Sequence, residues 1–311
     1  MTLRIAPRPA EGATTDVVAF GENSVDLVVR LRLPLERGSK VPVDAITERS
    51  GGQALTAAVA CARLGWRACC AGVTGDDERA AAVRRTLEAA GVEPQLIRRP
   101  GGATRSALVL VEPDTGDRTV LEHRAVALSL TEDETPVWLA ASGRVLLVDA
   151  ADVPASTRMA RAAHGAGVPV IVDVDRDAEG VAGLLEAIDV LVVPESFAVG
   201  FTGRPAVGEA VAGLARRFEP AIVIATLGPE GSLALVEGHE MRTPAPRIEP
   251  VDTTGAGDAF RAGFASAWLE LGAAAPVEAL LRRANVVAAL SCLGEGALGG
   301  LPRRADLDRY L

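Results

Sequence analysis

Lysine is almost absent from this chain: Lys40 is the only lysine among 311 residues, so nearly every basic residue is an arginine. Nucleotide sites of the P-loop class need a Gly-Lys-Ser/Thr sequence, whose lysine binds the phosphates. That sequence does not occur here, and this class of nucleotide site is excluded. A Schiff-base lysine would have to be Lys40, which lies in a polar segment without a desolvating pocket.

Cysteine and aromatic side chains are also scarce. The four cysteines form no C-x-x-C pair and show no spacing typical of a zinc site, so we expect reduced, mostly buried thiols in a cytoplasmic protein. Aromatic residues make up only 3% of the chain. The core is therefore expected to consist of alanine, valine and leucine, which suits Ala-rich helices and Val-rich strands.

Long apolar runs and an excess of positive charge are missing as well. No run reaches the roughly 18–20 residues that span a bilayer, and residues 1–15 lack the apolar segment of a signal peptide. The formal net charge of −9 argues against a general nucleic-acid binder. We therefore expect no membrane or nucleic-acid partner, although local basic groups can still line a cleft for a phosphate substrate.

The chain does contain a regular alternation of apolar runs and helical patterns. Runs typical of buried strands occur at 17–20, 67–73, 144–149, 169–173, 190–193 and 221–225, with helix-forming segments between most of them. Strands that are apolar throughout are typical of a parallel sheet covered by helices on both faces. The sequence therefore predicts an α/β fold with a mostly parallel central sheet.

Two stretches depart from this rhythm, at about 26–50 and 103–125. Both alternate polar and apolar residues, as half-exposed strands do, and the second contains a Pro-Asp-Thr-Gly turn that begins at Pro113. We interpret both as antiparallel strands of a small β lid. Because no repeat or low-complexity linker occurs, residues 1–311 are expected to form one domain that carries this discontinuous lid.

The segment from Val251 to Phe260 carries the strongest chemical signal. Its glycines, Gly255 and Gly257, let the backbone turn tightly and expose N–H groups, and an apolar helix follows from about Asp258. Exposed amides at the start of a helix bind anions. A carboxylate in the first turn can accept a proton from an attacking hydroxyl. The pattern favours phosphoryl transfer, while a tight loop with Asp258 as a helix cap is the simpler alternative.

Four motifs occur in order along residues 17–303. They are Gly21–Asp26, Ser50–Gly65 with Gly72–Asp77, Thr226–Ser232, and Asp252–Phe260. In this order and spacing they resemble the sugar-contact strand, the first signature, the nucleotide loop and the second signature of the ribokinase/PfkB carbohydrate kinases. The resemblance implies a ribokinase-like three-layer α/β/α sandwich with a small β-sheet lid.

The resemblance also implies a role for each matched residue. Asp258 is the expected catalytic base, and the transferred phosphoryl group is expected to be stabilised by Gly255, Ala256 and Gly257. The sugar is expected to contact Asp26, Gly51, Gly52, Gln53 and, from the lid, Arg118. The nucleotide is expected to contact Thr226, Gly228, Gly231 and Asn285. A monovalent cation site in many members corresponds to Asp252 and Thr254, for which turn capping is the alternative.

The implied activity is ATP-dependent transfer of a phosphoryl group to a hydroxymethyl group of a small sugar, either a ketose or a related polyol. Mg²⁺ is expected with the nucleotide, and K⁺ is a further candidate ion. Two alternatives stay open: a nucleoside kinase of the same fold, and a catalytically silent sensor of sugar or nucleotide. A homodimer that pairs through the lid is a further hypothesis.

The chain departs from the family pattern at one place. Many members carry Asn-x-x-Glu after the strand that corresponds to 190–193, where this chain has Pro194-Glu195-Ser196-Phe197. The usual arrangement for Mg²⁺ and phosphate is therefore in question, and Glu195 is the carboxylate that could partly substitute. In lacking the motif, the chain is similar to the ketohexokinase and sulfofructose kinase branch.

Overall fold

The computed structural model describes residues 1–123 and 128–311. Within these ranges the strands are β1 (Val17–Phe20), β2 (Ser24–Arg30), β3 (Ile46–Gly51), β4 (Ala68–Thr74), β5 (Glu93–Arg98), β6 (Ser106–Val111), β7 (Arg118–His123), β8 (Val145–Asp149), β9 (Val170–Asp173), β10 (Val190–Pro194), β11 (Ile222–Thr226), β12 (Ser232–Val236) and β13 (His239–Thr243).

The helices of the same ranges lie between and after these strands. They are α1 (Gln53–Arg63), α2 (Glu78–Ala89), α3 (Val153–Gly165), α4 (Val181–Leu185), α5 (Glu195–Thr202), α6 (Val207–Phe218), α7 (Ala256–Leu271), α8 (Val277–Ser291), α9 (Gly296–Gly299) and α10 (Arg304–Leu307). None of the helices in the described part of the chain is long and apolar enough to cross a membrane.

Nine strands form the larger sheet, in the order β13-β12-β11-β10-β9-β8-β1-β4-β5. The neighbours from β11 to β5 pair in parallel, and β12 and β13 add to one edge in antiparallel fashion. The predicted mostly parallel sheet is confirmed. The sequence analysis did not predict β5, β12 or β13; β5 and β13 are edge strands with polar residues and so lack a continuous apolar run.

Apolar residues of the central strands fill both faces of this sheet. In β1, Val17 and Ala19 join the core formed with α1, α7 and α8, whereas Val18 and Phe20 join the core formed with α3 to α6. Successive side chains of a strand point to opposite faces, so both sets must be apolar. This accounts for the uninterrupted apolar runs of the sequence and for the three layers.

The smaller sheet has the order β3-β2-β6-β7. Its outer pairs are antiparallel, but β2 and β6 run parallel, so the prediction of antiparallel strands is wrong for the central pair. The two strands come from separate parts of the chain and meet side by side, where Val28, Val109 and Val111 pack together. Residues 124–125 of the predicted lid lie outside the described residues.

The strand order positions a crevice beside β1. From β1 the chain moves to β4 on one side and later to β8 on the other, and open α/β sheets bind ligands at the carboxyl ends of strands where this reversal occurs. The carboxylate of Asp149 ends β8 and accepts a hydrogen bond from the amide of Glu22, 2.8 Å away and just past the end of β1. Polar groups of both strands therefore meet at this crevice.

Candidate active site

The start of helix α7 forms one end of the candidate site. The helix begins at Ala256, two residues before the predicted start, and its N-cap Gly255 is in the left-handed region with φ of 77°. A β-carbon at Gly255 would lie 2.8 Å from the side chain of Ala297, so backbone and packing both require glycine. The first amides of a helix have no acceptor within it, and the positive end of the dipole favours an anion there.

The loop that leads into this helix is held by Asp252, which is almost completely buried. One carboxylate oxygen accepts from the amide of Thr254 at 2.8 Å, and the other accepts from the amide of Gly296 at 2.8 Å. The hydroxyl of Thr254 is buried and, among the described residues, has no hydrogen-bond partner. Asp252 therefore fixes the loop. The Oγ1 atom of Thr254 is buried inside it and makes no hydrogen bond with the described residues.

Asp258 lies in the first turn of α7, and only 8% of the residue is exposed. Burial raises the pKa of its carboxyl well above the ordinary range, since desolvation disfavours the charged form. The positive charge of Arg261 lowers this pKa, whereas the carboxylates of Asp173, Asp149 and Asp175 raise it further. The geometry thus provides a carboxylate with increased proton affinity beside the amides of the helix start.

The residues matched to sugar contacts meet where β3 leads into α1. Gly51 ends β3 and Gly52 precedes α1, and a β-carbon built at Gly51 would lie 2.6 Å from the carboxylate of Asp26. Burial raises the pKa of Asp26 to about 6, although hydrogen bonds from Ser24 and from the backbone at Ala107 lower it. The structure therefore brings Asp26 and the di-glycine loop together.

Gln53 joins this loop to Asp258 through Arg261. A guanidinium nitrogen of Arg261 donates to the carbonyl oxygen of Gln53 at 2.9 Å and lies 3.7 Å from the Oδ1 atom of Asp258. The sequence analysis missed Arg261. Its signal was a charged residue three positions after Asp258 in a helix that is otherwise mostly apolar, since residues at this spacing are neighbours on a helix surface.

The residues matched to nucleotide contacts gather around β11 and β12. Thr226 ends β11, and Gly228 begins a 3₁₀ turn that closes when the amide of Leu227 donates to the carbonyl of Gly231 at 2.8 Å. Asn285 reaches this region from α8, and its amide donates to the Ser232 hydroxyl and to the Thr243 carbonyl. These contacts join α8 to β12 and β13 beside the turn.

Arg118 lies at the tip of the β6–β7 hairpin, and its described contact is with the loop that leads into α7 rather than with Asp26. The guanidinium donates to the hydroxyl of Thr253 at 3.1 Å. Thr253 in turn donates from its hydroxyl and its amide to the carbonyl of Gly116. These contacts hold the hairpin tip next to the start of α7.

The atypical segment after β10 lies next to the nucleotide turn. Pro194 pairs with Thr226 across β10 and β11, and the exposed Glu195 begins α5 immediately afterwards. Among the described residues, no group of three or more His, Cys, Asp or Glu side chains is arranged to hold a metal ion. Glu195 is thus a single carboxylate at the edge of this region.

Comparisons with known proteins agree with this geometry. Residues 14–304 match the description "pfkB family carbohydrate kinase". A ribokinase of Bacillus subtilis (strain 168) is 29% identical over 95% of this chain and 99% of its own, and a fructokinase of Klebsiella pneumoniae is 30% identical over 84% and 91%. The structure of Arabidopsis thaliana ribokinase with ribose and ATP superposes with a TM-score of 0.78, at 25% identity over 95% of this chain and 98% of that one.

Proposed function

Because the chain belongs to the pfkB family of carbohydrate kinases, we propose that it transfers the γ-phosphoryl group of ATP to a hydroxymethyl group of a ketose or related polyol. The transfer is direct and in line, with Asp258 as the base. The observation that carries this proposal is the buried carboxylate of Asp258 in the first turn of α7, directly after the left-handed Gly255.

The proposed chemistry uses residues on both sides of Asp258. The sugar hydroxyl gives its proton to Asp258 as its oxygen attacks the γ-phosphorus, while the bond from this phosphorus to the bridging oxygen breaks and ADP leaves. A base with raised proton affinity and short reach is suited to this step. The amides of Gly255, Ala256 and Gly257 stabilise the charge on the transferred group, since fixed dipoles act strongly in a water-poor site. Asp26 and the loop Gly51–Gln53 hold the sugar.

The nucleotide is proposed to lie along Thr226, Gly228 and Gly231, with Asn285 nearby. Mg²⁺ bound with the nucleotide would supply positive charge against the phosphates, and Glu195 is the residue that we propose approaches it. The unpartnered hydroxyl of Thr254 and the buried carboxylate of Asp252 fit a monovalent cation such as K⁺. Such an ion would supply positive charge to the site.

The smaller sheet is proposed to act as a lid of a single domain in a cytoplasmic enzyme, excluding water from the transfer. Its exposed face carries apolar side chains, of which Ile46 and Leu121 are more than half exposed. We propose that a second copy of the chain pairs with this face. Light scattering of the wild-type protein and of Ile46→Glu/Leu121→Glu tests this, and an unchanged monomeric mass in both would refute it.

The function is tested by measuring ATP consumption against a panel of ketoses, aldoses, polyols, sugar acids, sugar phosphates and nucleosides. Asp258→Asn serves as the blank, because it keeps the shape of the side chain and removes the base. Consumption with one ketose or polyol, absent from the blank, is the expected result. Consumption with nucleosides only would support a nucleoside kinase, and ATP binding without any consumption would support a sensor.

A further inference from the structure

Arg261 is a fully buried arginine in the middle of helix α7. One terminal nitrogen donates to the carbonyl of Val148 at 2.5 Å, and the other donates to the carbonyl of Gln53 at 2.9 Å. Val148 lies near the carboxyl end of β8, and Gln53 is the first residue of α1. A single side chain thus joins the base-bearing helix to the strand end at the crevice and to the proposed sugar loop.

Arg176 pairs with Asp175 at 3.3 Å, and Arg261 is a further, fully buried cation within the same acidic group of side chains. Asp258 precedes it by one turn, Asp149 ends β8, Asp173 ends β9, and Asp175 follows β9. Burial raises the pKa of Asp173 to about 6, and the charge of Arg261 opposes this rise as it does at Asp258. From α1, the nearby thiol of Cys61 stays neutral because burial raises its pKa to about 12.

The position of the Arg261 guanidinium, rather than complete hydrogen bonding of its N–H groups, explains why an arginine lies here. The Nε–H of Arg261 is buried and has no partner among the described residues. An unmatched buried donor is destabilising, so an arginine is not the residue that packing alone would favour. Its planar fork does, however, reach two carbonyl oxygens and one carboxylate at once, which a lysine ammonium cannot do in the same geometry.

We propose that Arg261 is a positioning residue of the phosphoryl transfer, which fastens the Gln53 loop to α7 and balances the charge of Asp258. This proposal rests on the proposed kinase function. The Arg261 side chain would have two separate effects. The charge sets the pH at which the base becomes ionised, and the fork sets the position of the sugar loop.

The test compares Arg261→Met, Arg261→Lys and the exposed control Arg85→Gln with wild type, using the sugar that the panel identifies. In Arg261→Met the acidic limb of kcat/KM against pH is expected to move upward by about one pH unit or more. In Arg261→Lys the limb stays near the wild-type pH, while the KM for sugar rises several-fold. Arg85→Gln changes neither. An unmoved limb in Arg261→Met, or a wild-type sugar KM in Arg261→Lys, overturns the proposal.

A second readout does not depend on turnover. Protein labelled with ¹³C at aspartate carboxyls is titrated by NMR, and the signal of Asp258 is identified by its absence from Asp258→Asn. Arg261→Met is expected to raise the titration midpoint of this signal by about one unit or more. If Arg261→Met does not fold, Arg261→Met/Asp173→Asn is compared with Asp173→Asn. A wild type without sugar kinase activity would refute the proposed function, and an unmoved midpoint would refute the role of Arg261.

Discussion

Helix α7 and the smaller sheet approach the same crevice, but α7 is mostly buried and the outer strands of the smaller sheet are mostly exposed. In α7 every residue from Asp258 to Leu269 is buried, between the larger sheet and α8. In β7 every residue is exposed, and β3 is buried only at Gly51. Closely packed groups are held in one position, whereas elements with few buried contacts open at small free energy. The proposed base and cradle therefore belong to the rigid region, and part of the sugar site belongs to the adaptable one.

This contrast predicts different kinetic effects in the two regions. Changes at the start of α7 should lower kcat, because they alter the groups that are proposed to act on the reacting atoms. Changes on the smaller sheet should raise KM, because they alter the strands that are proposed to hold and cover the sugar. Each substitution described below changes a residue of one of these two regions or of the contact between them.

The largest effect is expected for Asp258→Asn. Removing a general base lowers kcat by about 10²–10⁴-fold, while the isosteric amide should leave the fold and ATP binding intact. Steady-state kinetics and calorimetric titration of ATP measure both. Asp177→Asn is the matched control, since it removes an exposed carboxylate from the segment that follows β9. Near-wild-type kcat in Asp258→Asn would remove this residue from the mechanism.

A monovalent cation should act at the start of α7 and therefore affect kcat. Rates in K⁺ are expected to exceed rates in tetramethylammonium severalfold through kcat, because the large ion does not fit beside Thr254. Thr254→Val keeps the shape and removes the unpartnered hydroxyl, so the difference between the two salts should vanish in this variant. Equal rates of wild type in both salts would contradict a cation site at Asp252 and Thr254.

Arg118→Ala tests the contact between the two regions. The substitution removes the hydrogen bond from the hairpin tip to Thr253, so closure of the sheet over the crevice should weaken. We expect the KM for sugar to rise about 3–10-fold, as for the loss of one hydrogen bond of about 1 kcal/mol, with little change in kcat. Arg32→Ala is the control, because Arg32, just after β2, pairs with the exposed Asp114 in the turn between β6 and β7. An equal effect of both variants would argue against a specific role for the Thr253 contact.

The same division explains how much could be predicted from the sequence. Apolar runs such as Val190–Val193 predict buried parallel strands because both faces of that strand meet a core. The tight turn at Gly255 and the position of Asp258 in the first turn of a helix were predicted, because such a turn has a local sequence pattern of its own. Arg261 was missed, since its partners at Gln53 and Val148 are far away in the sequence and only the fold brings them together.

The smaller sheet was predicted less well for a related reason. Alternating polarity indicates a strand with one exposed face, but it carries no information about which strand lies alongside it. The parallel pairing of β2 with β6 depends on contacts such as Val28 with Val109, about eighty residues apart. Likewise, the contact of Arg118 with Thr253 could not be derived from the hairpin alone.

The smallest effect concerns stability and comes from Asp26, the half-buried carboxylate of the smaller sheet. Its pKa of about 6 is raised above the ordinary value, so its protonated form stabilises the fold below the pKa of the unfolded chain, and this contribution is lost as pH rises through 6. At pH 8 the fold therefore contains a poorly solvated charge.

Asp26→Asn removes that charge, and we expect Tm to rise by about 2–4 °C at pH 8. The gain should shrink at pH 5, where Asp26 is protonated in the folded protein. Calorimetry at both pH values measures this, and an equal difference at pH 5 and pH 8 would show that the effect does not arise from ionisation. A more stable variant with a higher KM for sugar would indicate that the smaller sheet gives up stability to hold its substrate.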